Sequence, residues 1–325
     1  MSTILVVGGA GYIGIQMSSQ LVEAGYDVVI YDKNKPAYLQ ALPQAIFVQG
    51  DLAEKEKLQH LFSNYAFDAV MHFAASIEVG ESIRNPQKYY DNNVVKTLQL
   101  LTLMREFAVN YFIFSSTAAV YGEPQYVPID TRHRQHPINP YGRSKWMVEN
   151  ILGDYDSAYG LRYASLRYFN ASGADPQNRF GECHDPETHL IPLVLQVANH
   201  RREHITVFGN DYDTPDGSCI RDYIHVDDLC RAHLLALKRL QQENKSLTYN
   251  LGNGNGFSIL EVIDAARKIT GKEIKTIMGS RRPGDPARLI ADASLAVKEL
   301  DWQPRYTDLE TIINHAWKWE IKNYG

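Results

Sequence analysis

The sequence is poor in cysteine, with only Cys183, Cys219 and Cys230 among its 325 residues. This odd number, without a CxxC pair, excludes a disulfide framework and a structural zinc site of the zinc-finger kind. Cys183 lies near His184 and His189 in the sequence, but scattered His and Cys in a loop, without a zinc-type ligand pair, predict no metal site. We therefore expect a protein of the reducing cytoplasm that holds no metal.

Long apolar runs and an excess of positive charge are also missing. The formal net charge is −5, so no general basic field favours nucleic acid or an acidic membrane as a partner. No stretch approaches the roughly 20 apolar residues of a membrane span. The apolar run that begins at Ile4 has no basic segment before it and ends at Gly8-Gly9, so we expect no signal peptide. An anionic ligand must be held by local devices, such as helix N-termini or a few arginines.

The first half of the chain alternates apolar, β-rich runs with amphipathic helical patterns. The runs are Ile4–Val7, Asp27–Tyr31, Ala45–Val48, Asp68–Phe73, Tyr111–Ser116 and Leu161–Tyr168. Such alternation indicates right-handed βαβ units, and near-continuous apolar strands are typical of a sheet covered on both faces. We predict an α/β fold, a Rossmann doubly wound parallel sheet with a smaller C-terminal substrate domain.

The second half has a different character. Asn170–His189 and Asn210–Ser218 are rich in Gly, Asp, Pro and Asn, which predicts long loops, and long loops in a compact domain are usually functional. We predict a Rossmann domain over residues 1–170, with segments that return to it at about 225–255. The substrate domain is predicted over residues 171–325.

Gly8, Gly11 and Gly14 follow the first predicted strand and open a helix, with the spacing GxxGxxG. Glycines at this point allow a tight turn, close approach of the backbone to a pyrophosphate, and close packing of helix on strand. The helix N-terminus then offers free N–H groups and partial positive charge to phosphates. This context favours a dinucleotide site over the alternative, a tight turn without a ligand.

Asp32 ends the second strand, 18 residues past Gly14, close to the position of a carboxylate that binds the adenosine ribose. It favours NAD over NADP because a carboxylate repels a 2′-phosphate, although Lys33 beside it tempers this preference. Asp51 follows the third strand. It could contact the adenine or could simply cap a turn before the next helix.

Tyr141 and Lys145 are four residues apart, so they share one face of a helix. A tyrosine with a pKa near 10 is a poor base at neutral pH, but a neighbouring ammonium and a cationic nicotinamide stabilise the phenolate. A YxxxK pattern alone usually marks two surface side chains without a catalytic role. In a chain that also has a dinucleotide-binding loop before it, the pattern predicts a catalytic base. Thr117 follows the fifth strand, where its hydroxyl could bond a substrate oxygen or merely cap a turn.

At these residues the sequence closely resembles the extended short-chain dehydrogenase/reductase family, and within it the UDP-glucose 4-epimerases. The resemblance runs nearly from end to end. The motifs that carry it include GGAGYIG at 8–14, HFAA at 72–75, VGES at 79–82, YYDNNV at 89–94, FSSTAAVYGEP at 114–124, NPYGRSK at 139–145, RYFNASGA at 167–174, HLIPLV at 189–194, VFGNDYDTPDGSCIRDYIHVDDL at 207–229, YNLGNGNGFS at 249–258 and RRPGDPA at 281–287.

The resemblance implies a site made of a catalytic group, a tightly bound NAD and a UDP-sugar. The catalytic group is Thr117, Tyr141 and Lys145. Together with the glycine loop, the predicted NAD contacts are Gly8, Gly11, Tyr12, Ile13, Gly14, Asp32, Lys33, Asn34, Asp51, Leu52, Phe73, Ala74, Ala75, Asn93, Lys145 and Phe169. The predicted contacts of the UDP-sugar are Thr117, Tyr141, Asn170, His189, Leu190, Val207, Phe208, Arg221, Tyr223, Arg282 and Asp285. The two arginines suit a diphosphate; either alone could instead form a surface ion pair with Asp222 or Asp285.

The implied reaction is NAD-dependent interconversion of UDP-glucose and UDP-galactose, an isomerisation through a transient 4-keto sugar. A 4-epimerase of UDP-N-acetylhexosamines or UDP-pentoses stays open as an alternative, as does a non-catalytic NAD-binding scaffold. A 4,6-dehydratase of the same fold is disfavoured because Ala118-Ala119, and not Asp-Glu, follows Thr117.

Two positions depart from the family pattern or leave it undecided. Ile77, followed by Glu78, stands where many members have lysine, which puts phosphate or nicotinamide contacts there in doubt. Leu289 stands at the position where, in this family, a bulky side chain excludes an N-acetyl group on the sugar. Leucine is intermediate in size, so it leaves the choice of substrate open. The predicted helices Asn93–Phe107 and Tyr141–Ala158 resemble those of a four-helix dimer interface, so a homodimer is expected.

Overall fold

The computed structural model describes residues 2–35, 38–282 and 284–325 and is built on a seven-stranded parallel sheet. Met1, Pro36, Ala37 and Pro283, the last in the RRPGDPA motif, lie outside the described residues. The strands are β1 (Thr3–Val7), β2 (Asp27–Asp32), β3 (Ile46–Gln49), β4 (Ala69–His72), β5 (Tyr111–Thr117), β6 (Arg162–Tyr168), β7 (Asn170–Ser172), β8 (Ile205–Phe208), β9 (Ile220–His225), β10 (Leu247–Leu251), β11 (Gly256–Ser258), β12 (Thr276–Gly279) and β13 (Arg288–Leu289).

The order of the large sheet is β10-β6-β5-β4-β1-β2-β3. Every neighbouring pair is parallel, as in the register of Val7 with Tyr31 on one side and with His72 on the other. The strand order reverses beside β1, where the next strand along the chain lies on one side and β4 lies on the other. The predicted Rossmann fold is confirmed.

Helices cover both faces of this sheet. The helices are α1 (Tyr12–Glu23), α2 (Lys55–Asn64), α3 (Val79–Arg84), α4 (Pro86–Tyr90), α5 (Lys96–Glu106), α6 (Pro140–Tyr159), α7 (Leu190–Ala198), α8 (Val226–Glu243), α9 (Ile259–Thr270), α10 (Ser294–Leu300) and α11 (Leu309–Tyr324). In β1, Ile4 and Val6 pack toward α1 and α8, whereas Leu5 and Val7 pack toward α2, α5 and α6. Successive residues of a strand face opposite sides of the sheet. Because helices cover both sides, nearly every residue of such a strand is buried and apolar.

A second group of elements lies beyond the carboxyl edge of the large sheet. β9 pairs in parallel with β7 and β13 and antiparallel with β11, while β8 pairs with β12. α7, α9 and α11 pack together through Ile191, Ile263 and Ile312. These strands have two to six residues and were largely missed in the sequence, because so short a segment carries little periodicity.

α8 and β10 come from the second half of the chain but join the large sheet, β10 as its seventh strand and α8 against α1. The division into residues 1–170 with returning segments and 171–325 stays a prediction. Within the described ranges, no helix has both the length and the apolar character needed to cross a bilayer.

Candidate active site

A cavity of about 1290 Å³ opens at the carboxyl edge of the large sheet. It runs from the loop after β1 to the segment between β12 and β13, so both groups of elements line it. Ligands of open α/β sheets bind at this edge, at the point where the strand order reverses. The volume exceeds the roughly 300–1,000 Å³ of a pocket for one drug-sized ligand, so two ligands can bind side by side.

Each of the three positions in the first turn is occupied by glycine for a different physical reason. Gly8 has φ +78°, and a Cβ at Gly14 would lie 2.2 Å from the Gly8 carbonyl oxygen, so both are fixed by the turn and its packing. Among the residues that the structure describes, a Cβ at Gly11 would meet only that same oxygen, at 3.4 Å. None of these neighbours therefore requires glycine at residue 11, and the space beside it lies open to a ligand at the start of α1. A pyrophosphate fits this cradle.

Asp32 ties the glycine turn to the end of β2. Its carboxylate accepts hydrogen bonds from the backbone N–H of Ala10 at 3.0 Å and of Asn34 at 2.9 Å. Burial raises the pKa of Asp32, and these N–H groups and Lys33 oppose the rise. Asp32 also lines the cavity, and its carboxylate oxygens have further lone pairs that suit a ribose diol.

Asp51 lies at the same end of the cavity, after β3. It accepts a hydrogen bond of 2.6 Å from the Lys96 ammonium and one of 2.8 Å from the Ala53 N–H. Burial opposes ionisation, but Lys96 lowers the pKa of Asp51 below its usual value. Lys96 lines the cavity and was not predicted, because its partner lies 45 residues away and no local spacing marks such a pair.

Tyr141 and Lys145 lie in the first two turns of α6, whose N-terminus is fixed by Asn139, a cap that accepts the Gly142 N–H at 2.8 Å. Lys145 is 2% exposed and donates a 2.8 Å hydrogen bond to the Ser115 carbonyl. Burial lowers the pKa of Lys145 to about 7, and the carboxylate of Glu149 opposes this. The ammonium therefore sits where it can stabilise a phenolate on the same helix face.

Thr117 and Tyr141 both line the cavity, and their hydroxyl groups lie within hydrogen-bond reach of each other. Burial raises the pKa of the Tyr141 phenol, and a hydrogen bond with the Thr117 side chain opposes the rise. The close approach depends on Gly142, because a Cβ there would lie 2.4 Å from the Ala119 carbonyl oxygen. Thr117 also caps the turn after β5, accepting the Ala119 N–H at 3.2 Å, so the predicted alternative of a cap coexists with the catalytic geometry.

Glu149 lies one helical turn beyond Lys145 and anchors a buried network below it. It forms an ion pair of 2.6 Å with Arg167 on β6 and accepts a 2.5 Å hydrogen bond from the Ser116 hydroxyl. Gln135 donates to its second oxygen at 2.8 Å. Glu149 and Arg167 side chains are each 8% exposed, so the pair is shielded from water and joins α6 firmly to the sheet.

The second half of the chain contributes a cationic wall. Arg221 on β9 forms an ion pair with Asp285 and donates a 2.7 Å hydrogen bond to the Ile220 carbonyl. Arg282 lies with its guanidinium carbon 3.9 Å from the centre of the Phe208 ring. The ion pair with Asp285, which was the alternative prediction for Arg221, is present. Both partners line the cavity, so Arg221 can also bind an anion there.

His189 and Leu289 both line the cavity. Burial disfavours the charged imidazole, but the carboxylates of Glu182 and Glu187 raise the pKa of His189 to about 10. Leu289 packs beside Tyr121 and Ile129 and faces the cavity, as do Ile77 and Glu78 at the departure from the family pattern.

Most of the predicted site residues come together around this one cavity. Those that line it are Gly8, Gly11, Tyr12, Ile13, Gly14, Asp32, Lys33, Asn34, Asp51, Leu52, Phe73, Ala74, Ala75, Thr117, Tyr141, Lys145, Phe169, Asn170, His189, Leu190, Phe208, Arg221, Tyr223, Arg282 and Asp285.

Asn93 and Val207 lie behind the cavity wall. Asn93 is 2% exposed and pins the loop after β4, accepting the Ser76 N–H at 2.8 Å and donating to the Ser144 hydroxyl at 3.0 Å. Val207 is 1% exposed and packs in the core of α7, α9 and α11, whereas its neighbour Phe208 faces the cavity. Their side chains position the wall from behind.

Comparison with known proteins gives consistent results. Residues 4–252 match the family described as the NAD dependent epimerase/dehydratase family. Over 319 residues the chain is 50% identical to a UDP-glucose 4-epimerase of Streptococcus mutans, with 97% of this chain and 96% of that protein covered.

Two solved structures share the fold over nearly the whole chain. One is a UDP-glucose 4-epimerase from Brucella ovis in complex with NAD, with a TM-score of 0.94, 48% identity and 98% of each chain covered. The other is the UDP-Glc/GlcNAc 4-epimerase of Campylobacter jejuni, with a TM-score of 0.86, 44% identity, and 99% of this chain and 100% of that chain covered.

Proposed function

This chain belongs to the NAD dependent epimerase/dehydratase family, and we propose that it interconverts UDP-glucose and UDP-galactose by inverting carbon 4 of the hexose. The cofactor is NAD, as in the Brucella ovis relative. One observation carries the proposal: Thr117, Tyr141 and Lys145 lie in the same cavity as the glycine turn and the cationic wall. A hydroxyl pair, a dinucleotide cradle and a diphosphate-type wall together match this reaction.

The residues present fit NAD. The open side of Gly11 and the N-terminus of α1 would hold the pyrophosphate, and Asp32 would accept hydrogen bonds from the adenosine ribose. Bound NAD⁺ supplies a hydride acceptor and donor for carbon 4 of the sugar. Lys145 would also contact the bound NAD, and its charge would act on Tyr141.

Tyr141 removes the proton of the 4-hydroxyl as the carbon–hydrogen bond at C4 breaks, and it returns the proton after the 4-keto sugar has turned over. Lys145 stabilises the phenolate, which burial alone disfavours. Thr117 donates a hydrogen bond to the same sugar oxygen and holds it within reach of Tyr141. Since NAD ends unchanged, the net reaction is an isomerisation.

The UDP part lies against the second half of the chain. Arg221 and Arg282 would neutralise the diphosphate, each through charge-assisted hydrogen bonds. Phe208 and Tyr223 form the apolar side of this wall, and Asn170 is held by its donation to the Asp222 carbonyl at 2.9 Å. The sugar is thereby directed toward Tyr141.

Product analysis tests the proposal. Purified protein is mixed with UDP-galactose without added NAD, and the nucleotide sugars are separated and identified. We expect UDP-glucose and UDP-galactose to reach the same final ratio from either direction. A 4-keto-6-deoxy product, or no turnover by protein that carries NAD, contradicts the proposal; the latter result is the one that a non-catalytic NAD-binding scaffold gives.

A second candidate is epimerisation of N-acetylated UDP-hexoses as well. Leu289 on the cavity wall is smaller than an aromatic residue, and the related Campylobacter jejuni protein acts on both UDP-Glc and UDP-GlcNAc. The same product analysis with UDP-N-acetylgalactosamine and with a UDP-pentose defines the range of substrates.

We further propose that the protein works as a homodimer in the cytoplasm. Val95, Met147 and Tyr159 leave 37–51% of their surface exposed on and beside α5 and α6. Exposed apolar side chains on neighbouring helices support an interface between copies of the chain. The three free cysteines support a reducing compartment. Light scattering at micromolar concentration tests the dimer, and a monomer mass contradicts it.

A further inference from the structure

The loop between β7 and α7 brings four side chains together beside the cavity. Glu182, His184, Glu187 and His189, named here the 182–189 cluster, each offer one nitrogen or oxygen atom, and these atoms lie within 4.8 Å of one another. The sequence analysis noted His184 and His189 but predicted no metal, because the spacing ExHxxExH of the two glutamates and two histidines matches no familiar ligand pair. The loop, and not a helix face, makes them converge.

The distances in the cluster suit a central cation. His189 Nδ1 lies 2.7 Å from Glu182 Oε1 and 2.9 Å from Glu187 Oε1, while His184 Nδ1 lies 3.1 Å from Glu182 Oε1 and 4.0 Å from Glu187 Oε2. In a tetrahedral site with bonds of about 2.0–2.1 Å, neighbouring ligand atoms are about 3.3 Å apart. The observed separations bracket that value, so small side-chain movements suffice to bind an ion.

Ion pairs between the histidines and the glutamates do not by themselves give every carboxylate oxygen of the cluster a hydrogen-bond donor. A ring nitrogen carries one proton, which points in the plane of the ring, yet His189 Nδ1 faces two carboxylates. The glutamate side chains are only 7% and 6% exposed, so water compensates their charge poorly. A divalent cation that displaces the Nδ1 proton of His189 into solvent contacts both carboxylates and both imidazoles at once and balances the two negative charges.

Surrounding hydrogen bonds hold the ligands in place. Glu187 Oε1 accepts the backbone N–H groups of Thr188 and His189, both at 2.8 Å. Trp319 Nε1 donates to the Glu182 carbonyl at 3.2 Å, which anchors the loop to α11. Such outer contacts orient the ligands of metal sites. Cys183 is not one of the four converging side chains; its sulfur accepts a hydrogen bond of 3.6 Å from the Tyr324 hydroxyl.

We propose that the 182–189 cluster binds a divalent transition metal, with Zn²⁺ as the ion that two imidazoles and two carboxylates suit best. The ion joins the middle of this loop, at Glu182, to its C-terminal end at His189, and its role is structural. This proposal departs from the sequence prediction of no metal. It also does not depend on the proposed function, because binding is measured without a sugar nucleotide.

The test uses the full, untagged chain with its bound NAD. Metal-free protein is titrated with Zn²⁺ and, separately, with Co²⁺, whose visible spectrum reports tetrahedral coordination. We expect one Zn²⁺ per chain and Co²⁺ bands typical of mixed nitrogen and oxygen ligands. His184→Gln and Glu187→Gln should each weaken Zn²⁺ binding at least about tenfold, since even outer-shell losses cost that much.

The control variant is His60→Gln, which removes an exposed histidine on α2 and should leave Zn²⁺ affinity and stoichiometry unchanged. Zn²⁺ should also raise the thermal midpoint of the wild type and of the control but not of the His184→Gln/Glu187→Gln variant. Equal Zn²⁺ binding by wild type and double variant, or no binding by the wild type, overturns the proposal and leaves the cluster as a network of His–Glu ion pairs.

Discussion

Arg221 and Asp285 form an ion pair in the cavity wall, although 64 residues of chain separate them. The pair fixes the plane of the guanidinium and connects β9 to the segment before β13. Each terminal nitrogen of Arg221 uses one N–H group, for Asp285 and for the Ile220 carbonyl, so the other N–H groups stay available to an anionic ligand.

Arg221→Lys should therefore raise the KM for UDP-galactose about 10- to 100-fold with a much smaller change in kcat. Lysine keeps the charge but loses the fork, and a hydrogen bond to a charged group contributes about 1.5–3 kcal/mol. Steady-state kinetics measure the split. Arg288→Lys, an exposed arginine two positions past Pro286, is the matched control and should leave both constants unchanged. A fall in kcat alone contradicts the assigned role.

Tyr141→Phe should lower kcat about 10²- to 10⁴-fold, because it removes the group that transfers the proton. The amount of NAD bound to the purified variant should equal that of the wild type, since the phenol lies at the sugar end of the cavity. Tyr126→Phe, which removes the hydroxyl of an exposed tyrosine that bonds the loop residue Asp130, is the control. Retention of full activity by Tyr141→Phe contradicts the proposed mechanism.

Asp32→Asn should weaken NAD relative to NADP binding by about 10- to 100-fold. The variant loses a charged acceptor, worth about 1.5–3 kcal/mol, and also the charge that repels a 2′-phosphate. Calorimetric titration of cofactor-free protein with each dinucleotide measures the ratio. Because Asp32 accepts the Ala10 N–H, circular dichroism must first establish that the turn has kept its fold. An unchanged ratio in a folded variant excludes the ribose contact.

Leu289→Tyr should reduce turnover of UDP-N-acetylgalactosamine far more than that of UDP-galactose, and Leu289→Ala should shift the ratio the other way. The side chain faces the cavity beside Tyr121, so added bulk enters the space that an N-acetyl group needs. The measured quantity is the ratio of the two kcat/KM values. If both variants change this ratio in the same direction, the size of residue 289 does not control whether an N-acetyl group is accepted.

Glu149→Gln should shift the alkaline fall in kcat to lower pH. Burial lowers the pKa of Lys145 to about 7 and Glu149 opposes this, so losing its charge lowers the pKa further. Activity needs the ammonium, which is present below that pKa and lost as the pH rises through it. The profile of kcat against pH tests the direction.

The same variant leaves Arg167 buried without its partner, which costs about 3–5 kcal/mol of unfolding free energy. Adding Arg167→Met to Glu149→Gln should recover part of that stability in urea while the shifted pH profile persists. A pH profile that returns to that of the wild type in the double variant would mean that Glu149 acts only through folding.

The parts of the site that sequence could predict are those with a local pattern. The glycine turn, Asp32 and the pair Tyr141 and Lys145 depend on one strand end or one helical turn, so their spacing identifies them. Lys96 could not be found in this way, because its contact with Asp51 depends on how two distant segments pack.

A family resemblance that is assessed residue by residue also does not predict which way each side chain points. In β8 the side chains alternate, so Val207 enters the core while Thr206 and Phe208 face the cavity. The 182–189 cluster escaped for a related reason: an irregular loop has no period from which convergence can be read. The large sheet was predictable because most of its strands are apolar and helical patterns separate them regularly along the chain.

The position of β10 has a consequence for synthesis of the chain. β6 gains its outer neighbour only through Leu247–Leu251, which leave the ribosome about 80 residues after β6 itself. Until then, Leu166 and its neighbours border an unpaired strand edge in a nascent chain, a place where strands of other chains can add. A fragment that ends near residue 170 keeps this exposed edge permanently. The nucleotide-binding half is thus complete as a sheet only when three quarters of the polypeptide has been made.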